Sequence, residues 1–464
     1  MIKAIGSRQS FALLIFAVAV AAMAQDQPTQ AQDTVAEPAV VDDLRAPVPA
    51  LLGGDSNSLA FSSELERSNY LRGGISVGAT YDDNANNEVN NRISDFSYSI
   101  LPNIEVDQTR SRLHWVLGYF GGFTANQRLT TRNQGSHNLS GSLQYRLSPH
   151  VDLRLSDNFL DTTGLLQQFN NGLGTPVTGP LTQPNTTLIT PLAKNINNTG
   201  SVDLSYQYSA NDSVGVGGTF YDSHFRDQPV GSTPLVDTST RGANAYYNHR
   251  FTARNWTGIS YKFQRLEFSP GSDVTLTHSL LLTHTIYLRQ HLTVSFYAGP
   301  EYSELDTQTV TMNVTPPVIS FDTVSTTAHQ LSLSSGANLG WQGALTSVHL
   351  EASRKVADGG GLLGAVELNS FEGGIRRQLL KPTAVHLNVV YGHNRELASV
   401  VAATPLTSAS GNFGVEQRLS ENFMLRMDYG RDYLKGSTIA STGSVNHNRG
   451  TISISYSFSR PMGR

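Results

Sequence analysis

Asp152 and Arg154, Glu416 and Arg418, and Arg426 and Asp428 each set a carboxylate two residues from a guanidinium on the polar parity of their stretch. A spacing of two is the repeat of one strand face, so each pair would show both charges to the same side. On a wall that lines water, such residues shape conductance and selectivity, as rings of charged side chains do in pores. The plainer alternative is a wet wall with local ion pairs and no specific ligand. Both signs occur, so weak ionic selectivity is expected. Tyr221, Tyr246, Tyr287 and Tyr297 share this polar parity and are the candidates for stacking against sugar rings.

Other chemistry-bearing residues carry less. His278 and His284 fall on the apolar parity of the stretch from Val274 to Leu288, which suits a membrane-rim position, a misjudged face or a subunit contact. Asp82-Asp83-Asn84-Ala85-Asn86-Asn87 has the composition of a cation-binding loop. It lacks the central Gly and distal Glu of an EF-hand, and Asn and Asp favour turns through local backbone bonds. The segment is expected to be a loop tip. Among 13 His and many Ser and Asp there is no His-Glu-x-x-His and no phosphate-binding loop. No catalytic set, metal site or cofactor is expected. A hydrolase assembled from separate strands stays open, because such sites are defined by geometry.

The elements that must position these residues are strands. Val151, Leu153, Leu155 and Phe159 share one parity, and Asp152, Arg154, Ser156 and Asn158 the other. The same alternation recurs in about eighteen bursts. Strands are expected near 70–84, 93–107, 112–127, 134–148, 150–162, 196–209, 213–226, 238–252 and 255–268. Nine more are expected near 272–289, 291–305, 326–342, 345–356, 363–379, 383–395, 407–419, 422–434 and 446–459. The links alternate in length: tight near 108–111, 149, 210–212, 253–254, 290, 343–344, 381–382 and 420–421, and long at 163–195, 227–237, 306–325 and 396–406. Repeats at this spacing can also mark propeller blades, but a blade needs four strands where each repeat here holds two.

Aromatics gather near strand ends on the apolar parity: Tyr81, Phe96, Trp115, Tyr145, Phe159, Trp256, Tyr302, Trp341, Phe423 and Phe458. Rings at the two bilayer interfaces would account for them.

Composition narrows the class. Charged residues are 15% of the chain, below the ~25% of soluble domains. Gly is abundant at 41, with 18 Tyr and 19 Phe. Mean hydropathy is −0.24, too polar for a helical membrane protein but compatible with strands of which alternate residues meet lipid. There is no Cys, so disulfides and thiolate chemistry are excluded.

Lys3 and Arg8 precede an apolar run from Phe11 to Ala22 and then Ala22-Met23-Ala24, the layout of a cleaved signal peptide over residues 1–24. Its ~12 apolar residues fall short of the ~20 that span a bilayer as a helix. Removing it leaves 31 Lys+Arg against 37 Asp+Glu, which gives no basic face for nucleic acid. Residues 25–68 are rich in Gln, Asp, Ala and Pro and are expected to be a disordered linker, too short to fold into a plug.

Signal, linker and strand pattern together resemble bacterial outer-membrane β-barrel proteins of porin type. Gly78-Ala79-Thr80-Tyr81-Asp82-Asp83-Asn84, followed by Ser94-Asp95-Phe96 and Leu101-Pro102, also resembles the first hairpin of barrels associated with extracellular-polysaccharide gene clusters. The resemblance implies an all-β, transmembrane, antiparallel up-and-down barrel over residues 69–464, with about 18 strands (16 is the alternative). Phe458 is similar to the terminal aromatic read by the barrel-assembly machinery, although six residues follow it. With an even strand count both termini fall on the short-turn, periplasmic side.

The expected function is an outer-membrane pore for small hydrophilic solutes or a conduit for polysaccharide export. The alternatives are a structural or adhesive barrel that binds partners through its long loops, and an enzyme. Expected partners are outer-membrane lipid, the assembly machinery and a hydrophilic solute or polysaccharide. A homo-oligomer is one option.

Overall fold

The computed structural model describes residues 69–162, 194–226, 235–269, 273–289, 291–315, 318–397, 405–436 and 443–462. The expected signal peptide, the linker and most of the 163–195 loop lie outside the described residues.

Alternating sequence makes alternating strands. The first nine are β1 (Asn69–Asp82), β2 (Asp95–Thr109), β3 (Leu113–Asn126), β4 (Gln134–Ser148), β5 (Val151–Thr162), β6 (Lys194–Gln207), β7 (Asp212–Arg226), β8 (Asp237–Thr252) and β9 (Asn255–Ser269). The second nine are β10 (Asp273–Arg289), β11 (Leu292–Thr315), β12 (Val318–Gln342), β13 (Thr346–Gly359), β14 (Leu363–Leu380), β15 (Thr383–Glu396), β16 (Leu406–Arg418), β17 (Phe423–Gly436) and β18 (Gly443–Pro461). Each pairs antiparallel with the next, and β1 pairs with β18 from Tyr70↔Pro461 to Asp82↔Arg449. The sheet is therefore an 18-stranded closed up-and-down barrel of porin-like architecture.

Its burial is inverted relative to a soluble protein. On β10, Leu280 and Leu282 are exposed while Thr275, Thr277 and Ser279 are buried; on β11, Phe296 is exposed while Thr293 and Ser303 are buried. In a closed cylinder the crowded face is the inner one, so the polar parity faces the bore and the apolar parity faces out. An outer wall of this size made of Leu, Ile, Val, Tyr and Phe is stable in hydrocarbon and not in water. Asp157 is an exception, on the outward parity between Leu155 and Phe159; a carboxylate there is less costly than a Lys or Arg.

One end of the barrel is closed by tight turns, such as Arg110 N–H donating to Leu113 O at 2.7 Å and Gly343 N–H to Thr346 O at 2.7 Å. Both ends of the described barrel lie there too, where Met462 N–H donates to Asn69 O at 2.7 Å. The opposite, long-loop end differs from expectation at 306–325. That stretch continues β11 and β12 as paired strands out to Thr315↔Val318. Val310, Thr311, Val314, Val318 and Ile319 are β-branched residues flanking Pro316 and Pro317, a strand–turn–strand composition.

A barrel sealed in this way resists unfolding by detergent until it is heated. Unboiled protein is expected to migrate differently from boiled protein in detergent electrophoresis; identical mobility would contradict closure.

Candidate pore interior

The six charged candidates all lie on the inner parity, but two of the three expected pairs find their partners on other strands. Opposed side chains across a ladder stand closer than residues two apart along one strand. Thus Asp152 Oδ1 meets Arg146 Nε of β4 at 3.6 Å, while Arg154 stands opposite Asp203 of β6. Glu416 Oε2 accepts from Arg376 Nη2 of β14 at 2.9 Å; the pairing with Arg418 is not formed, and Arg418 is exposed at the tight-turn end. Arg426 and Asp428 do pair, Nε to Oδ2 at 2.7 Å and Nη2 to Oδ1 at 3.1 Å.

His386 joins the last two pairs, with Nε2 at 3.0 Å from Asp428 Oδ1 and Nδ1 at 3.8 Å from Glu416 Oε1. Arg376, Glu416, His386, Asp428 and Arg426 thereby form one ionic chain along the inner wall of β14–β17. Both signs are interleaved, so the wall holds fixed dipoles more than a net field.

The four tyrosines also face inward. Tyr246 Oη donates to Asp203 Oδ1 at 3.2 Å, and its ring covers Gly215 so closely that a Cβ there would meet it at 2.2 Å. Tyr221 Oη donates to Asn197 Oδ1 at 3.4 Å. Both are buried, whereas Tyr287 and Tyr297 keep partial exposure to the bore.

The feature missed in the sequence is a hairpin that crosses the bore. β13 leaves β12 after Ser335↔Arg354 but stays paired with β14 up to Gly359↔Leu363. The freed N–H of Val356 donates to Glu301 Oε1 of β11 at 3.0 Å, and the other oxygen of Glu301 accepts from Ser279 Oγ at 2.9 Å. A carboxylate thus replaces the ladder that β12 no longer provides. Val356 and Ala365 pack with Leu266, Phe268 and Leu305 of the β9–β11 wall. Ala357, Val366 and Leu368 pack with Leu406 and Leu434 of β16 and β17.

At the tip, Leu362 touches both that second group and the pair Phe225 and Leu235. β7, which carries Phe225, and β16, which carries Leu406, stand nine strands apart in the ring, so the hairpin bridges opposite walls. Gly361 seals the contact: its O accepts from Val236 N–H at 2.8 Å, its φ is +83°, and a Cβ would meet the Phe225 ring at 2.4 Å. None of the described residues in these apolar groups comes from the arc of β18 and β1–β6. Apart from Val445, the inner face of β18 at the same end carries polar groups, with Arg449 Nη2 bound to Asp432 Oδ2 of β17 at 2.7 Å and His447 Nδ1 3.3 Å from Asp82 Oδ2 of β1.

The remaining expectations divide. Trp256 is a correction: it sits opposite Arg250 and Thr285 on the inner parity and is buried, and does not belong to an outer aromatic ring. His278 and His284 do face outward, where Tyr261 Oη lies 2.7 Å and Thr257 Oγ1 2.8 Å from the imidazole Nδ1 atoms. A cross-strand hydroxyl satisfies each ring on an apolar wall. In the Asp/Asn-rich loop, Asn84 is fully buried, takes Glu88 N–H on its side-chain oxygen at 3.2 Å and donates to Glu88 O at 2.9 Å. Its polar atoms hold the loop together.

Gly74-Ile75-Ser76-Val77-Gly78 has the spacing of a nucleophile elbow, yet it lies within β1, paired on both sides. An elbow needs a sharp strand-to-helix turn. Among the described residues no group of three or more His, Asp or Glu is placed to hold a metal ion.

No family model matches the sequence, and no curated protein matches it either. Among solved structures, the chain is similar to OccK2 (OpdF) of Pseudomonas aeruginosa at 12% identity, covering 84% of this chain and 98% of that one with a TM-score of 0.43. OpdK of the same organism is matched at 10% identity over 84% and 99% with a TM-score of 0.41. The siderophore receptor PiuA of Acinetobacter baumannii is matched at 8% identity over 83% and 82% with a TM-score of 0.42.

Gly361→Val puts a side chain into the Phe225 ring at a strained φ, a penalty of about 1–2 kcal/mol that shifts the seated hairpin by a factor of about 5–30 toward displacement. Glu301→Ala removes the other anchor. Both variants are expected to keep heat-dependent mobility and to raise mean conductance in planar bilayers. Conductance equal to that of the unaltered protein in both would contradict the bridge.

Proposed function

We propose that the chain is an outer-membrane channel for small hydrophilic solutes, with the tight-turn end and both chain ends in the periplasm. The observation that carries this is the polar arc of the bore left beside the inward hairpin, inside a wall that is apolar without. Barrels of this strand number are wide enough for an aqueous passage. The bridge narrows that passage, which favours small solutes over a polymer chain. Solutes cross down their gradient, guided by the interleaved charges of the Arg376–Arg426 chain and by Arg449, Asp432 and His447. Tyr287 and Tyr297 are the rings left to stack against a passing sugar.

Reconstituted protein is expected to give stepwise ion current with a reversal potential near zero under a salt gradient. Asp428→Asn removes the acid between His386 and Arg426 and should move selectivity toward anions. Absence of current at every applied potential, in protein with heat-dependent mobility, would replace the channel with a scaffold whose long loops bind outside partners.

A further inference from the structure

The parting of β12 and β13 leaves a strand edge that matches the hairpin itself. β12 runs beside β11 as far as Val318, but its ladder to β13 covers only Ser335 to Gln342. From 318 to 334 the other side of β12 has no ladder partner among the described residues. Gln342 N–H donates to His291 O, just before β11, at 2.9 Å. The even residues of β12 therefore bond β11, and the odd ones, Leu331 and Leu333 among them, turn N–H and C=O to the parting. Counted from the tight turn, the ladder from Gln342 to Ser335 climbs about 20 Å at ~3.3 Å per residue and ~40° of tilt, short of the ~25 Å apolar band. The edge groups of Leu333 thus fall within hydrocarbon, where only another hydrogen-bonding group can offset their cost.

The hairpin carries the complement. Continuing the register Ser335↔Arg354 sets Lys355 against Ser334, Val356 against Leu333, Ala357 against Ser332, Asp358 against Leu331 and Gly359 against Gln330. In that register the Val356 N–H, now held by Glu301, faces Leu333 O. Val356 joins the exposed Leu331 and Leu333 on the outward parity, and Lys355 joins Ser334 on the inward one. The pairing of β13 with β14, from Thr346↔Arg377 to Gly359↔Leu363, does not depend on β12, so the hairpin can move as one piece.

We propose that this hairpin is a gate with two bonded states: seated across the bore, or zipped onto the edge of β12 with the bore cleared. The gate rests on the channel reading above. Each state satisfies what the other leaves open. Zipping gains the ladder from Lys355 to Gly359 and seals the parting. Seating buries apolar side chains of the hairpin against Leu266, Phe268, Leu305, Leu406 and Leu434, which zipping returns to the water of the bore. Two discrete packings of one element make a switch and not a continuous flexing.

The chain has no native Cys, so a disulfide can report the zipped register. Ser332→Cys with Ala357→Cys makes a facing pair with no main-chain bond between its members, where Cα atoms come to about 4.5 Å, within disulfide range. In the seated state Ala357 packs instead with Leu406 and Leu434 of β16 and β17. Reconstituted protein is treated with a mild oxidant, and free thiols are counted by mass-tagging after denaturation. Loss of both thiols is expected, with a rise in mean conductance that a reductant reverses. Glu301→Ala in the same background should speed the crosslink about tenfold or more, because a bond to a charged acceptor holds the seated state. Gln330→Cys with Gly359→Cys, at the far end of the same register, is expected to behave alike and carries the test if the first pair lacks heat-dependent mobility. Thiols that stay free in both pairs, a crosslink rate indifferent to Glu301→Ala, or a crosslink that leaves the conductance of a conducting protein unchanged would each overturn the gate. Protein that crosslinks but passes no current, oxidised or reduced, loses the channel and keeps the two states of the hairpin.

Discussion

In hydrocarbon a backbone N–H or C=O without a partner costs several kcal/mol, because no water is there to replace it. Everything in this protein follows from meeting that constraint with strands. A sheet can satisfy its interior ladders but never its two edges, so the edges of β1 and β18 must meet, and they do along the whole of β1 from Tyr70 onward. Once the sheet is closed, every side chain is committed to inside or outside. That commitment is why Ser76 and Val77, neighbours in sequence, live in different solvents.

The same constraint explains the cost and the use of the inward hairpin. Where β13 leaves β12, that ladder is given up, and the hairpin is held by other bonds. Glu301 takes the Val356 N–H, Val236 binds Gly361 O, and Leu397 N–H binds Ala365 O at 3.0 Å. Apolar residues of both faces of the hairpin then pack against apolar residues on the inner parity of the walls. These contacts are few compared with the barrel ladders, and the hairpin keeps its own pairing with β14 and β15.

Much of the wall was legible from period two alone. The eighteen strands, the tight turns and the face of each charged candidate follow from residues such as Ile452, Ile454 and Tyr456 set against Ser453 and Ser455. Partners were not legible. Arg376 lies 40 residues from Glu416, and only the register of two successive ladders brings them together. The bridge did leave a trace: Leu266 and Phe268 follow Lys262 and Gln264 on the polar parity, and Leu434 follows Asp432. Apolar residues that break the inner parity near the long-loop ends signal something greasy lodged in the bore. Trp256 broke parity too, at the other end, and its size made it look like an interface ring.

The most direct test of a cylinder that is oily outside and wet inside uses the absence of native cysteine. Single cysteines are placed in turn from Ile75 to Tyr81, and the protein is reconstituted in liposomes. A water-soluble thiol reagent should modify positions 76, 78 and 80, and a lipid-phase quencher should darken a probe at 75, 77, 79 and 81. Uniform modification along the strand, or quenching at the even positions, would contradict the account.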